Sequence, residues 1–143
     1  MSIRNAKALW NGTLKEGKGT MNFSNYSGPF TFASRFEEGE GTNPEELVGA
    51  AQAGCYSMFL SALISGEGLT PQSIETTATV DLGKDDIGPN ITNIKLDSTV
   101  VCEGLSQDKF DELAAAAKEK CPISRLYAGG TAKIDLDAKL VGS

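Results

Sequence analysis

One apolar stretch, residues 43–65, constrains the fold of this 143-residue chain more than any other. Asn43 is a good helix N-cap, and Pro44 fits the first helical position because its missing N–H would have no partner there. Glu45 and Glu46 follow, where the helix dipole favours negative charge. We therefore predict one helix from Pro44 to about residue 65.

The apolar positions of this helix recur at helical spacing and include a cysteine. Residues three or four positions apart form a stripe that we expect to be buried: Leu47, Ala51, Cys55, Met58, Phe59 and Ala62. A neighbouring face of the helix has only small residues, which indicates that another element packs closely against it: Gly49, Ala50, Ala53 and Gly54. The sequence thus predicts a central helix with Cys55 in its buried stripe.

The remaining chain predicts strands on both sides of this helix. Six stretches are typical of strands: residues 7–14, 18–23, 30–36, 73–82, 91–101 and 131–140. The acidic, glycine-rich residues 37–42 are expected to form a mobile connection. A second helix is predicted over residues 106–120, and a short one begins at Pro122 with Cys121 as its cap. The order βββ-α-ββ-α-β indicates an α+β fold with antiparallel sheets, in one domain over residues 1–143.

Composition and charge disfavour several classes of protein. The formal net charge is −6 and the lysines are scattered, so nucleic acid is not an expected partner. Three cysteines without a C-x-x-C pair, and no histidine, do not make an ordinary zinc site, so we expect no metal. We expect neither a membrane span nor a leader sequence, and hence a cytoplasmic protein. In a reducing cytosol, distant cysteines are either buried and inert or redox-active.

Without histidine, nucleophilic or redox chemistry would fall to sulfur. A cysteine attacks as its thiolate, but Cys55 lies about three turns inside its helix, where the dipole no longer helps and burial opposes ionisation. A positive group must therefore come from elsewhere, and Arg35 is the candidate. An arginine in an apolar pocket needs a counter-anion, which Glu45 or Glu46 could supply.

Helix length limits how these groups can meet. Ten residues separate Glu45 from Cys55, which corresponds to about 15 Å of helix. Glu45 therefore does not easily serve the Cys55 of its own helix. Two such helices crossing antiparallel through their small faces would bring Glu45 of one chain to Cys55 of the other. We predict a homodimer with composite sites, in which the partner chain supplies Glu45.

The other two cysteines differ in their surroundings. Cys121 would receive backbone N–H groups and the helix dipole at its cap, which stabilises a thiolate, although it could also be an incidental residue before Pro122. Cys102 lies in a strand with no cationic neighbour in sequence and is expected to be inert. Cys55 by itself is more typical of a small buried hydrophobe, whereas together with Arg35 and Cys121 the reactive and the inert interpretations are evenly balanced.

Several of these residues together resemble the osmotically inducible protein C branch of the OsmC/Ohr superfamily of thiol peroxidases. The matching stretches are Arg35-Phe36-Glu37, residues 41–47, Gly49-Ala50-Ala51, Cys55 and Cys121-Pro122-Ile123-Ser124. The resemblance covers essentially the whole chain. It implies an intertwined α+β homodimer that reduces hydroperoxides, organic ones in preference to hydrogen peroxide, with no metal, flavin or haem cofactor.

The resemblance also implies roles for four residues. Cys55 matches the peroxidatic cysteine, which becomes a sulfenic acid, and Cys121 matches the resolving cysteine, which condenses with it to a disulfide. Arg35 matches the arginine that stabilises the thiolate and orients the peroxide, and Glu45 matches the carboxylate paired with it. Reduction by dithiol donors such as lipoylated proteins is also implied. The rival interpretation is a dimeric binding or structural protein with unreactive thiols that holds a small apolar ligand in its interface cleft.

Overall fold

The computed structural model describes residues 1–142 and has two compact units, one ending at Leu47 and the other beginning at Val48. The elements in chain order are β1 (Lys7–Asn11), β2 (Lys18–Phe23), β3 (Tyr26–Phe30), α1 (Phe32–Phe36), α2 (Pro44–Gly66), β4 (Ser73–Lys84), β5 (Pro89–Val101), α3 (Gln107–Lys120), α4 (Pro122–Ala128) and β6 (Lys133–Leu140). The predicted α+β class is confirmed. The predicted order is present as well, with the short helix α1 as an unpredicted addition and α4 as the expected short helix after Cys121.

The first unit contains an antiparallel sheet in the order β1-β2-β3. Phe23 pairs with Tyr26 across the β2–β3 hairpin, so Ser24 and Asn25 alone make the turn. Ser24 takes a positive φ of 49°, as the first residue of such tight hairpins requires. Stacking of the Phe23 and Tyr26 rings, with centroids 4.6 Å apart, supports the hairpin. The third strand therefore begins at Tyr26, before the residues 30–36 that were predicted to form it.

The prediction of a strand over residues 30–36 is wrong, because most of this stretch forms helix α1. Thr31 caps the helix: its Oγ1 accepts from the Ser34 N–H at 3.1 Å, and the Thr31 N–H donates to Ser34 Oγ at 2.8 Å. This reciprocal capping box provides acceptors for the backbone N–H groups of Thr31 and Ser34 at the helix start. Phe32 and Phe36, four residues apart, pack with ring centroids 5.0 Å apart. Arg35 consequently lies in the last turn of a helix and not at a strand end.

The second unit contains a mixed sheet in the order β4-β5-β6. Strands β4 and β5 pair antiparallel, from Ser73 with Val101 to Lys84 with Pro89. Strand β6 instead pairs parallel to β5, so the expectation of purely antiparallel sheets is wrong here. The reason is the connection: α3 and α4 carry the chain back along the sheet, as a parallel crossover requires.

Helix α2 packs into the core of the second unit on a face different from the predicted one. Its fully buried residues are four positions apart: Gln52, Tyr56, Leu60 and Ile64. Cys55 lies at the edge of this face, half-buried, whereas Ala51, Met58 and Ala62 are exposed in the single chain, Met58 by 77%. The predicted stripe was therefore out of phase, because the true buried face includes the polar Gln52 and Tyr56.

One small residue of α2 confirms the expected close packing. A Cβ at Gly49 would lie 3.1 Å from Val80 Cγ2 and 3.3 Å from Ala78 Cβ on β4, whereas Gly54 faces open space. By length and hydropathy alone α2 could cross a membrane. Its Leu60 and Ile64 are instead part of a core shared with β5 and α3, as in the central helix of a soluble domain.

Candidate active site

Cys55 and Cys121 lie next to each other in the second unit, and both are free thiols. Burial raises the pKa of the Cys55 thiol, and this effect is larger than the lowering by a hydrogen bond with the backbone of Ile123. The hydrogen bond with Cys121 and the negative charge of its thiolate raise the Cys55 pKa further. These effects disfavour the Cys55 thiolate within a single chain, and a positive group beside the sulfur would favour it.

The second thiol, Cys121, is fully buried at the N-cap of α4, where it was predicted. Its Sγ accepts a hydrogen bond from the Ser124 N–H at 3.3 Å, and the thiol donates to Ser124 Oγ at 3.1 Å. Pro122 occupies the first helical position. The start of α4 thus provides polar groups that can solvate the sulfur in either protonation state.

A buried glutamine on α2 also reaches this site, and the sequence reasoning missed it. Gln52 Nε2 donates to Ser124 Oγ at 3.1 Å, and the Gln52 side chain is fully buried. Its Oε1 has no hydrogen-bond partner within residues 1–142. The signal that could have revealed Gln52 is a long polar side chain in an apolar helix, three residues before Cys55.

A second missed residue, Tyr127 of α4, lies near both sulfurs. Its hydroxyl donates to the backbone carbonyl of Val48 at 3.0 Å. Burial raises the pKa of Tyr127, and the negative charges of the Cys121 and Cys55 thiolates raise it further. The phenol therefore forms part of the surroundings of the two thiols and connects α4 to α2.

Arg35 and Glu45 form an ion pair in the first unit. Arg35 Nη2 donates to Glu45 Oε1 at 2.6 Å, and Arg35 Nε lies 3.1 and 3.2 Å from the two carboxylate oxygens. Glu45 is buried, and the guanidinium also lies over the Phe36 ring, 5.1 Å from its centroid. Of the two carboxylates considered, Glu45 is the counter-anion, because Glu46 accepts from the Thr42 hydroxyl at 3.0 Å. The pair forms within one chain, so a chain that supplied Glu45 to the Cys55 of a partner would supply Arg35 with it.

The start of α2 holds this ion pair in place. Asn43 caps the helix as predicted, with its Oδ1 accepting from the Glu46 N–H at 2.8 Å, and its Nδ2 donates to the Ser34 carbonyl at 3.1 Å. Ser34 Oγ in turn donates to the Thr42 carbonyl at 2.7 Å. These bonds connect the end of α1, which carries Arg35, to the first turn of α2, which carries Glu45.

Similarity to known proteins identifies the family of this α+β chain, which has an arginine–carboxylate ion pair and two adjacent free thiols. Residues 37–137 match the OsmC family, described as OsmC-like protein, so this chain belongs to the OsmC family. Its sequence is 45% identical over 142 residues to Peroxiredoxin OsmC of Escherichia coli (strain K12), covering 96% of each chain.

Solved structures show the same fold. The OsmC like protein from Mycoplasma pneumoniae superposes with a TM-score of 0.79 at 16% identity, covering 98% of each chain. The organic hydroperoxide resistance protein OhrB of Bacillus subtilis superposes with a TM-score of 0.65 at 26% identity, covering 96% of this chain and 98% of that one. Both the family and the α+β architecture of this chain are thereby established.

Proposed function

We propose that this chain is a thiol-dependent peroxidase that reduces organic hydroperoxides, and more weakly hydrogen peroxide, in stress defence. The observation that carries the proposal is the juxtaposition of two free thiols, Cys55 on α2 and Cys121 at the start of α4. The names of the relatives agree with it, since one is a peroxiredoxin and another an organic hydroperoxide resistance protein.

The two thiols suffice for a balanced reaction. The Cys55 thiolate attacks the distal oxygen of the hydroperoxide, the O–O bond breaks, and the alkoxide leaves and takes up a proton to become the alcohol. Cys55 is then a sulfenic acid, which condenses with the Cys121 thiol to a disulfide and releases water. A dithiol donor, of which lipoylated proteins are one class, returns both sulfurs to thiols by two successive exchanges and is itself oxidised to a disulfide. Sulfur carries both electrons, so the cycle needs no cofactor.

In this proposal, the positive group that favours the Cys55 thiolate is Arg35 of a second copy of the chain. Glu45 orients the guanidinium within its own chain, and ten helical residues separate Glu45 from Cys55, about 15 Å of rise. The exposed Ala51, Met58 and Ala62 give α2 an apolar face that a second copy would cover. Arg35 would then stabilise the Cys55 thiolate and orient the peroxide across the dimer interface.

Residues 1–143 act, in this proposal, as one functional domain in the cytoplasm. The family match over residues 37–137 extends across the boundary between the two units at Leu47, which supports a single evolutionary unit. A cytoplasmic setting suits thiols that must be reduced after every turnover.

Steady-state peroxide consumption tests this function. With cumene hydroperoxide as substrate and dihydrolipoamide as reductant, the purified protein should turn over, and Cys55→Ser should be inactive. Cys102→Ser is the matched control, since Cys102 is a free thiol outside the proposed site, and it should retain wild-type turnover. Absence of turnover in the wild type, or turnover by Cys55→Ser, would instead favour a binding protein with unreactive thiols.

A further inference from the structure

A buried chain of hydrogen bonds connects α2 to the sulfur of Cys121. Gln52 Nε2 donates to Ser124 Oγ at 3.1 Å, and Ser124 Oγ lies 3.1 Å from Cys121 Sγ. Gln52 and Cys121 are fully buried, and Ser124 is 3% exposed. Water therefore does not compete for these groups, and each bond restricts the geometry of the next.

The chemistry of the three groups determines which atom donates each of these hydrogen bonds. An amide nitrogen only donates, so Gln52 Nε2 occupies one lone pair of the Ser124 hydroxyl. While Cys121 is a thiol, the second lone pair accepts its S–H. When Cys121 ionises, the hydroxyl can rotate and donate its own proton to the sulfur, beside the Ser124 N–H that already does so at 3.3 Å. The thiolate then has two donors from one residue, and Gln52 keeps the hydroxyl oriented for this task.

We propose that Gln52 and Ser124 are positioning residues for the resolving step, in which Cys121 closes the disulfide with Cys55. The inference rests on the proposed peroxidase function and deepens it. In that step the Cys121 sulfur attacks the sulfur of the Cys55 sulfenic acid, the S–O bond breaks, the S–S bond forms, and the thiol proton leaves with the hydroxide as water. Ser124 stabilises the attacking sulfur, and Gln52 holds Ser124.

The position of Gln52 supports this role over a purely structural one. It lies three residues before Cys55, nearly one helical turn, so a single bond connects the start of α4 to the helix that carries the peroxidatic cysteine. Its Oε1 has no partner within residues 1–142. A buried carbonyl oxygen without a hydrogen bond is destabilising, and an apolar side chain of similar size would fill the same space without that penalty.

Rapid-quench kinetics separate the resolving step from the first attack. Reduced protein is mixed with one equivalent of cumene hydroperoxide and quenched with an alkylating agent, and mass spectrometry follows thiol, sulfenic acid, sulfinic acid and disulfide across a pH series. In Gln52→Met and Ser124→Ala, sulfenic acid should form at the wild-type rate. Disulfide closure near neutral pH should be about tenfold slower in Ser124→Ala, as loss of one hydrogen bond to a charged group implies, and should also be slower than wild type in Gln52→Met. The pH profile of disulfide closure should move to higher pH, and more Cys55 should be over-oxidised to sulfinic acid.

Two further variants make the test specific. Ser124→Thr keeps the hydroxyl and should restore much of the closure rate, while Ser57→Ala removes an α2 hydroxyl that bonds Thr76 at 2.7 Å instead and should behave as wild type. Closure with an unchanged rate and pH profile in Gln52→Met and Ser124→Ala would overturn the positioning role. Equal slowing of both steps, with a lower melting temperature, would overturn it in favour of a structural role. A wild type that forms no sulfenic acid would instead refute the proposed function itself.

Discussion

Arg35 and Glu45 are joined by a two-pronged ion pair in which Arg35 Nη2 lies 2.6 Å from Glu45 Oε1 and Nε contacts both carboxylate oxygens. The Arg35 side chain is 37% exposed, against 12% for Glu45. Nη1 makes no hydrogen bond to protein within residues 1–142, so one edge of the guanidinium remains available for a thiolate or a peroxide oxygen. Glu45 therefore orients Arg35 without using all of its donors.

Replacing Arg35 should slow the attack of Cys55 on the peroxide much more than it affects folding. Lysine lacks the planar fork that fits the Glu45 carboxylate, so we expect Arg35→Lys to lower the first-turnover rate about 10- to 100-fold. A partly exposed pair contributes about 1 kcal/mol or less to the free energy of unfolding, so the melting temperature should change little. Single-turnover kinetics and thermal denaturation measure the two quantities.

The exposed Arg125 provides the control for this substitution. Arg125→Lys removes the same functional group from the surface of α4 and should react at the wild-type rate. An Arg35→Lys protein that also reacts as fast as wild type would show that Arg35 does not activate Cys55.

A charge on the exposed apolar face of α2 should dissociate the proposed dimer. Met58 is 77% exposed in the single chain, and Met58→Glu would bury a carboxylate in the interface, which is strongly unfavourable. We expect light scattering to find a dimer for the wild type and a monomer for Met58→Glu. The monomer should also lose peroxidase activity, because Arg35 of the partner would no longer reach Cys55.

The matched control for the interface is Ile87→Glu, which adds the same charge at a residue that is 97% exposed in the β4–β5 turn. This variant should remain an active dimer. A wild type that is monomeric and fully active would refute the composite site.

Ionisation of Tyr56 should destabilise the folded protein at alkaline pH. Burial raises its pKa in the folded state, and a smaller effect of Ser98 in the opposite direction does not offset this. A tyrosine with a raised folded-state pKa stabilises the fold below its ordinary pKa of about 10, and that contribution is lost as the pH rises through the folded-state pKa. Tyr56→Phe should therefore lose less stability between neutral pH and about pH 11 than the wild type.

At neutral pH the same substitution should change the free energy of unfolding by about 1 kcal/mol or less, because the Tyr56 hydroxyl has no partner with good hydrogen-bond geometry within residues 1–142. Denaturant unfolding at the two pH values measures both effects, with Tyr26→Phe as an exposed tyrosine control. Cys55 and Tyr127 also have raised pKa values, so part of the alkaline loss should persist. Equal alkaline loss in Tyr56→Phe and wild type would contradict the assignment to Tyr56.

Features of the fold that depend on neighbours in sequence could be predicted. The start of α2 follows from Asn43 and Pro44, and the cap of α4 follows from Cys121 and Pro122, because capping is a contact over three or four residues. Helix α1 was missed although its capping box is equally local. Its two phenylalanines fit a strand pattern as well as a helical one over so short a stretch.

Features that depend on tertiary packing could not be predicted in the same way. The buried face of α2 was placed out of phase because several faces of the helix are apolar, and only the packing of the sheet and α3 selects the one with Tyr56. The bonds of Gln52 to Ser124 and of Tyr127 to Val48 join residues more than seventy positions apart. Hydrophobic periodicity in the sequence does not indicate such contacts, so Gln52 and Tyr127 could be identified only from the structure.

The most direct test of the account is the oxidation state of each cysteine after one equivalent of cumene hydroperoxide is added to the reduced protein. Peptide mapping by mass spectrometry should find a stoichiometric disulfide between Cys55 and Cys121, with Cys102 still a free thiol. In Cys121→Ser the same treatment should leave Cys55 as sulfenic or sulfinic acid. Unchanged free thiols at both Cys55 and Cys121, with the peroxide unconsumed, would contradict the central claim.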